Sequence, residues 1–249
     1  MNIPPEQLQT LMNHSGYGVG EEHPDQVQTL VIGNESGIGN ASSVEEFIKH
    51  LEGKEFLHKS NSENGRIHSP FLQFISRIVR ALEGKQGKWF APKDQCDVWE
   101  EIQNGHFYSE SAQLVDIRPL PRPNESVWPY ENIHERNYLY GFKNLTSKDE
   151  FVQELINQKV HSIQEQIRSY KNLRCIIAPG AATMKKKFLK LVFPEMKFNA
   201  IEIRTSRKTM TYYVGNTGKI KVVVCPFFDS KNGIGYEGLE RAFEFLTHS

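Results

Sequence analysis

Two acidic side chains stand where apolar runs end. Glu35 follows Gln28–Gly33 within Gly33-Asn34-Glu35-Ser36-Gly37-Ile38-Gly39-Asn40, and Asp116 closes the run Ser111–Val115 ahead of Ile117-Arg118-Pro119-Leu120. A carboxylate at the mouth of a buried strand can position or deprotonate water. The alternative for Glu35 is a helix cap or a loop acid in solvent; for Asp116 it is a structural aspartate holding the Arg118 or Arg122 region. An aspartate at an otherwise apolar strand end must find donors or stay wet. Gly33 and Gly37 permit tight turns and close backbone approach around Asn34 and Glu35. This segment carries neither a GxGxxG fingerprint nor the Gly-Lys-Ser/Thr of a phosphate loop. A third candidate, Cys225-Pro226-Phe227-Phe228-Asp229-Ser230-Lys231-Asn232, follows the β-branched run Ile220–Val224. Its paired aromatics suit core packing or base stacking.

The pattern between these segments predicts what positions them. Residues 42–52 read as a helix capped by Ser42 or Ser43, with Val44, Phe47, Ile48 and Leu51 on one face. A polar linker, 59–65, precedes Ser69-Pro70, a cap followed by proline at the first helical position. The helix it opens puts Phe71, Phe74, Ile75, Ile78, Val79 and Leu82 on one stripe. Residues 94–104 suggest another short helix. Proline in 119–123 is expected to end the second strand in a loop. Ser147-Lys148-Asp149-Glu150 is a capping box opening a long amphipathic helix. Residues 173–178 form a third strand, 181–193 a helix, 200–203 and 209–214 extended segments, 220–225 a last core strand and 235–246 a closing helix. Alternating strands and helices predict an α/β three-layer sandwich: a central, mostly parallel sheet of four to five strands with helices on both faces. Ligands in such folds bind beyond the carboxyl ends of the strands, which singles out the loops after Gly33, Asp116 and Cys225. Residues 1–249 are read as a single domain, with 1–27 as a polar N-terminal extension.

Composition narrows the function classes. In 249 residues, Lys+Arg and Asp+Glu balance at 30 each, so no global basic field attracts nucleic acid. A local one is expected between Lys185 and Lys208, where eight basic residues face Glu195 and Glu202; a solvated helix face plus a loop is the alternative. Cys96, Cys175 and Cys225 are far apart and suggest neither a disulfide framework nor structural zinc. None of the nine histidines pairs at HxH or HxxxH spacing, so no metal site is expected. With no apolar run of membrane length and no secretory leader at the N-terminus, no membrane association is expected. A bacterial-type cytosol or a nucleus is the anticipated location.

Taken in order, these segments resemble the uracil-DNA glycosylase superfamily, nearest in layout to its single-strand-selective branch. Gly33-Asn34-Glu35-Ser36-Gly37 is similar to the motif in which glycine, a variable residue and Asp or Asn precede proline, with Ser36 in the proline's place. Ser69-Pro70-Phe71 resembles the segment lining the base pocket. Val115-Asp116-Ile117-Arg118-Pro119-Leu120 is similar to the strand whose asparagine reads the base, with Asp116 standing for that asparagine. Val224-Cys225-Pro226-Phe227 falls where the superfamily has His-Pro-Ser, so Cys225 replaces the histidine that stabilises the leaving base. The ordered set covers about residues 28–246.

The resemblance implies metal-free and cofactor-free hydrolysis of an N-glycosidic bond, on a damaged or modified base taken out of the stack of single- or double-stranded DNA. Asn34 and Glu35 would be catalytic. Gly33, Gly37, Phe71, Asp116, Cys225, Ser230 and Asn232 would form the base pocket, with Phe71 as a stacking platform and Ser230, Lys231 or Asn232 as replacement donors. Lys185, Lys186 and Arg207 would contact phosphates. An ionised aspartate only accepts hydrogen bonds. Asp116 is therefore expected to prefer an edge with donors, as on guanine, cytosine or adenine, over uracil. A monomer is expected. Two other readings stay open: a binding module of the same fold without catalysis, and a small-molecule hydrolase, although no GxSxG elbow supports the latter.

Overall fold

A computed structural model of the chain describes residues 4–13, 16–20, 22–37, 43–52, 69–104, 110–122, 128, 130, 135, 142, 145–228 and 233–248. Its centre is made by the apolar runs: β2 (Thr29–Gly37), β3 (Ala112–Arg122), β4 (Cys175–Pro179) and β7 (Ile220–Cys225) pair in parallel in the order β3-β2-β4-β7. Three antiparallel strands extend this core. β1 (Tyr17–Gly18) pairs with β3, while β6 (Thr209–Thr217) and β5 (Asn199–Arg204) continue outward from β7. The sheet is therefore mixed and seven-stranded, not the mostly parallel sheet of four to five strands the sequence suggests. The reason is connection length. Gly218-Lys219 alone separates β6 from β7, and four residues separate β5 from β6. Neither link can make a crossover, so both pairs must run antiparallel.

Two strands also run further than their composition suggests. β2 continues through Gly33-Asn34-Glu35-Ser36-Gly37 beside β3, with Gly33 opposite Asp116, Glu35 opposite Arg118 and an irregularity before Gly37. These residues belong to a strand rather than to a loop after Gly33. β3 likewise runs through Pro119 and Pro121. The two prolines share one strand parity, and beyond Leu114 no partner on the β1 side is needed. Their missing N–H groups can both point away from β2 at no cost to the ladder.

Helices cover both faces. On one lie α3 (Pro70–Leu82) and α7 (Gly235–Thr247), packed with Val31, Leu114, Ile177 and Val223. On the other lie α5 (Lys148–Ser169) and α6 (Ala182–Val192), packed with Leu30, Ile32, Val115 and Val224. The alternation Leu30/Val31/Ile32 across the two clusters is the period-2 signature of a strand buried on both sides. The Ser147 hydroxyl caps α5 by accepting from the Glu150 amide at 3.2 Å, as the capping box predicts. α1 (Pro5–Asn13) and α2 (Val44–Glu52) form a third cluster with Leu120, Tyr130, Phe142, Phe151 and Leu155. Part of the expected N-terminal extension is thus packed helix and edge strand. α4 (Trp99–Asn104) follows a 3-10 turn at Lys93–Gln95.

Candidate functional site

The strand order turns around between β2 and β4. The chain leaves β2 through α3 on one face to reach β3, then leaves β3 through α5 on the opposite face to reach β4. Pairing of β2 with β4 stops at Val31–Ile177, whereas β2 stays beside β3 as far as Gly37. The crevice opened at such a switch point is where open α/β sheets bind ligands.

Several sequence-predicted residues meet here. Gly33 packs directly beneath Asp116: a Cβ on Gly33 would lie 1.9 Å from Asp116 Oδ1, so this position must be glycine for the carboxylate to sit where it does. Asn34, next in β2, has a buried Oδ1 with no hydrogen-bond partner. Its Nδ2 lies 3.7 Å from where a Gly180 Cβ would be, and the Phe227 ring lies 2.9 Å from the same point. Gly180 has φ +76° and Ala181 φ 41°, and the Gly180 amide donates to the Cys225 carbonyl at 2.8 Å. This left-handed turn from β4 into α6 brings Asn34 and Phe227 together over a residue without a side chain. Phe71, half-buried at the start of α3, stacks on Phe227 with centroids 5.6 Å apart and planes 14° apart.

The two aromatics after β7 have opposite fates. Phe228 is fully buried against Phe71 and Phe74, and Phe227 is 48% exposed at the rim. Packing and availability for stacking are both realised, one residue each.

Lys185 corrects the expectation of a phosphate-binding surface residue. It is completely buried, and its Nζ donates to the Ile32 carbonyl, one residue past the last β2–β4 pair. Burial pushes its ammonium well below the ordinary lysine value; attraction to Asp116 and Cys225 offsets part of that, and Arg118 adds to it. Lys159 on α5 is also buried, and burial lowers it to about 8 against the attraction of Asp116. Cys225 is a buried thiol pushed strongly upward by burial, with Lys185 opposing. At neutral pH it is a neutral, inward group, unable to serve as an anion or as a ready nucleophile.

The remaining candidates divide. Lys186 rests its Nζ 3.5 Å from the Tyr213 ring centroid. Arg207 is exposed on the β5–β6 turn, which is held to α7 by the Ser206 amide and hydroxyl, each donating to Glu237 at 2.9 Å. Since β6 runs antiparallel to β7 with Tyr213 opposite Val224, that turn projects past the carboxyl end of β7, on the same rim as the crevice. Gly37 ends β2, three residues beyond Asn34 and outside the cluster around Gly180. Glu35 is described for its backbone, opposite Arg118, but its side chain, Ser230, Lys231 and Asn232 lie outside the described residues. Tyr130 is buried, and Trp128 packs edge-on against it at 5.1 Å while lining a cavity with Arg118, Lys148 and Leu155. Among the described residues no group of three His, Cys, Asp or Glu side chains is arranged to hold a metal ion, and no helix is long and apolar enough to cross a membrane.

Sequence reasoning missed Gly180 and Lys159 and put Lys185 on the surface, although each carried a readable signal. Pro179-Gly180 closes the buried run Cys175–Ala178. Lys185 falls on the stripe Lys185-Phe188-Leu189-Val192, and Lys159 on Phe151-Leu155-Lys159-Ile163; helical spacing turns both lysines inward with their apolar neighbours. Comparison with protein-family models, with curated proteins and with solved structures finds no match to this chain.

Proposed function

We propose that the chain is a DNA glycosylase-like protein that hydrolyses the N-glycosidic bond of a damaged or modified base in DNA. What supports this reading is that Asn34, Phe71 and Phe227, from segments distant in sequence, meet around Gly180, one residue along β2 from the Gly33 against which Asp116 lies. In that reading the base is flipped out, Phe227 and Phe71 offer it a stacking face, and Asp116 and the unpartnered Asn34 Oδ1 accept from its edge. Water adds to the sugar carbon while the base departs with the bonding electron pair and takes up a proton. Glu35 accepts the water proton. Donors at the departing base stabilise its developing charge, and each is worth about 100-fold to 1,000-fold in rate.

A second reading has its own support. Cys225, where a histidine would steady the leaving base, is a buried neutral thiol. That favours a module which binds an unstacked base without cutting it. One experiment separates the two. Single-stranded oligonucleotides with one variable base are scored for abasic sites and for binding, with Glu35→Gln as control. Abasic sites that vanish in the control identify the enzyme. Binding without abasic sites identifies the module, and neither signal with any base would overturn both.

A further inference from the structure

We propose that Lys185 is a positioning residue that holds Asp116 as a carboxylate and thereby selects ligand edges presenting two hydrogen-bond donors. This rests on the base-binding reading above and extends it to a residue that never touches the ligand. Lys185 is fully buried, and its bond to the Ile32 carbonyl anchors its Nζ one residue along β2 from Gly33, against which Asp116 Oδ1 lies. An ammonium has three protons to donate; one goes to Ile32.

The charged and titratable groups that act on it come from two strands: Asp116 and Arg118 from β3, and Cys225 from β7. Lys159 faces Asp116 from α5. Cys225 is a neutral thiol, so the opposite charge facing Lys185 in this set is Asp116. Attraction between two groups is mutual: whatever Asp116 does to keep the lysines protonated, they do to keep Asp116 ionised. With both lysines buried and Asp116 half-buried, these attractions are only partly screened by salt.

Position matters as much as charge. Asp116 lies against the bare backbone of Gly33, one residue before Asn34, at the crevice where β2 parts from β4. A carboxylate there has four lone-pair directions and no proton to offer. A ligand edge carrying two N–H groups, as on guanine, is satisfied. Uracil, which presents a carbonyl oxygen beside its N–H, leaves two acceptors facing each other. Protonated Asp116 would donate and accept as asparagine does, and the selection would reverse. Lys185 thus acts on which base is taken, through Asp116, and not on base binding as such.

The test uses the full chain. The side-chain carbon resonances of Asp116 and Lys185 are followed by NMR against pH in wild type, Lys185→Met and Asp116→Asn. Affinities are measured for single-stranded oligonucleotides identical except for one guanine or uracil. In Lys185→Met the Asp116 midpoint should move up, and the pH below which the guanine-over-uracil preference is lost should move up by the same amount. In Asp116→Asn, which keeps Lys185 in place, the Lys185 midpoint should move down and uracil should become the better ligand. This second variant carries the test if Lys185→Met fails to fold. Independent titrations in a folded variant would overturn the proposal even if oligonucleotides bind. Coupled titrations with no binding of either oligonucleotide would overturn ligand selection and the base-binding reading together, leaving only the charge pairing.

Discussion

Two cations are completely buried on opposite faces of the sheet, and their surroundings differ in kind. Lys185 faces a carboxylate, a thiol and another cation at the carboxyl ends of the parallel strands. Arg77, on α3, gives Nη1 to the carbonyls of Trp89 and, at 2.9 Å, Ala91, and its guanidinium lies 4.5 Å from the Tyr236 ring centroid and 5.6 Å from that of Trp99. The side chains that influence its titration are Cys96 and Tyr236, and none is a carboxylate. Guanidinium is weakly hydrated and holds its charge even when burial lowers its pKa. Arg77 is therefore a clamp that ties the 89–91 segment to α3. A buried cation marks a functional region when a titratable partner and a strand-end crevice coincide with it. Burial alone marks structure.

The largest expected effect falls on the Arg77 side. Phe228→Ala, in the cluster with Phe74 and Tyr236, should cost about 3–5 kcal/mol in urea unfolding and leave any ligand preference intact. Phe227→Ala, its exposed neighbour, should cost under about 1 kcal/mol of stability and lose roughly 1–3 kcal/mol of single-strand binding. The reverse pattern would assign the two rings wrongly.

On the Lys185 side, Gly33→Ala drives a methyl into Asp116 Oδ1 and should destabilise by about 1–3 kcal/mol. In an Asp116→Ala background the same change should cost at least about 1 kcal/mol less. Simple additivity in that double-mutant cycle would mean the two residues do not meet.

Lys159 supplies a pH signature absent from the Arg77 side. Its folded value, about 8, lies below the ordinary 10.5. Between these values the unfolded chain holds a proton that the native chain has released, so stability rises with pH across that window; below it the full penalty for burying the ammonium is present. Lys159→Met should remove this contribution. The wild-type-minus-variant stability should climb by about 2 kcal/mol from about pH 8 to about pH 10.5, and a flat difference would show that Lys159 is solvated.

Arg77→Met should cost about 1–2 kcal/mol by stranding the Trp89 and Ala91 carbonyls. It should leave the guanine-to-uracil ratio unchanged; a changed ratio would erase the distinction between the two cations. Smallest of all, Arg207→Ala should weaken oligonucleotide binding evenly across sequences and lower the salt dependence by about one phosphate contact. Lys186→Ala should do less, because its ammonium already rests on Tyr213.

Much of the frame was legible beforehand because it is local. Ser147 and Glu150 announce the start of α5, Ser69-Pro70 announces α3, and the run Ile220–Cys225 is a strand in any context. Phe71 and Cys225 could be picked out because each sits at an element's end, and Gly33, Asn34 and Asp116 because each sits where an apolar run ends, although β2 and β3 continue past them. Less legible were properties set by a neighbour. Pro119 and Pro121 looked like strand breakers because a sequence does not say which edge of β3 is open. Lys185 looked like surface because adjacent lysines suggest a charge run, although its helical spacing already pointed it inward.

Periodicity, capping and turn chemistry act over a few residues, so the chain alone specified its helices, its core strands and the strand ends where a site belongs. Register and burial act between segments far apart in the chain. Only the folded structure could bring Asp116 onto Gly33 and stack Phe71 on Phe227. It alone set the Lys185 ammonium beneath the point where β2 leaves β4. Charge in a buried site takes its meaning from its partners, and no single segment of this chain contains them.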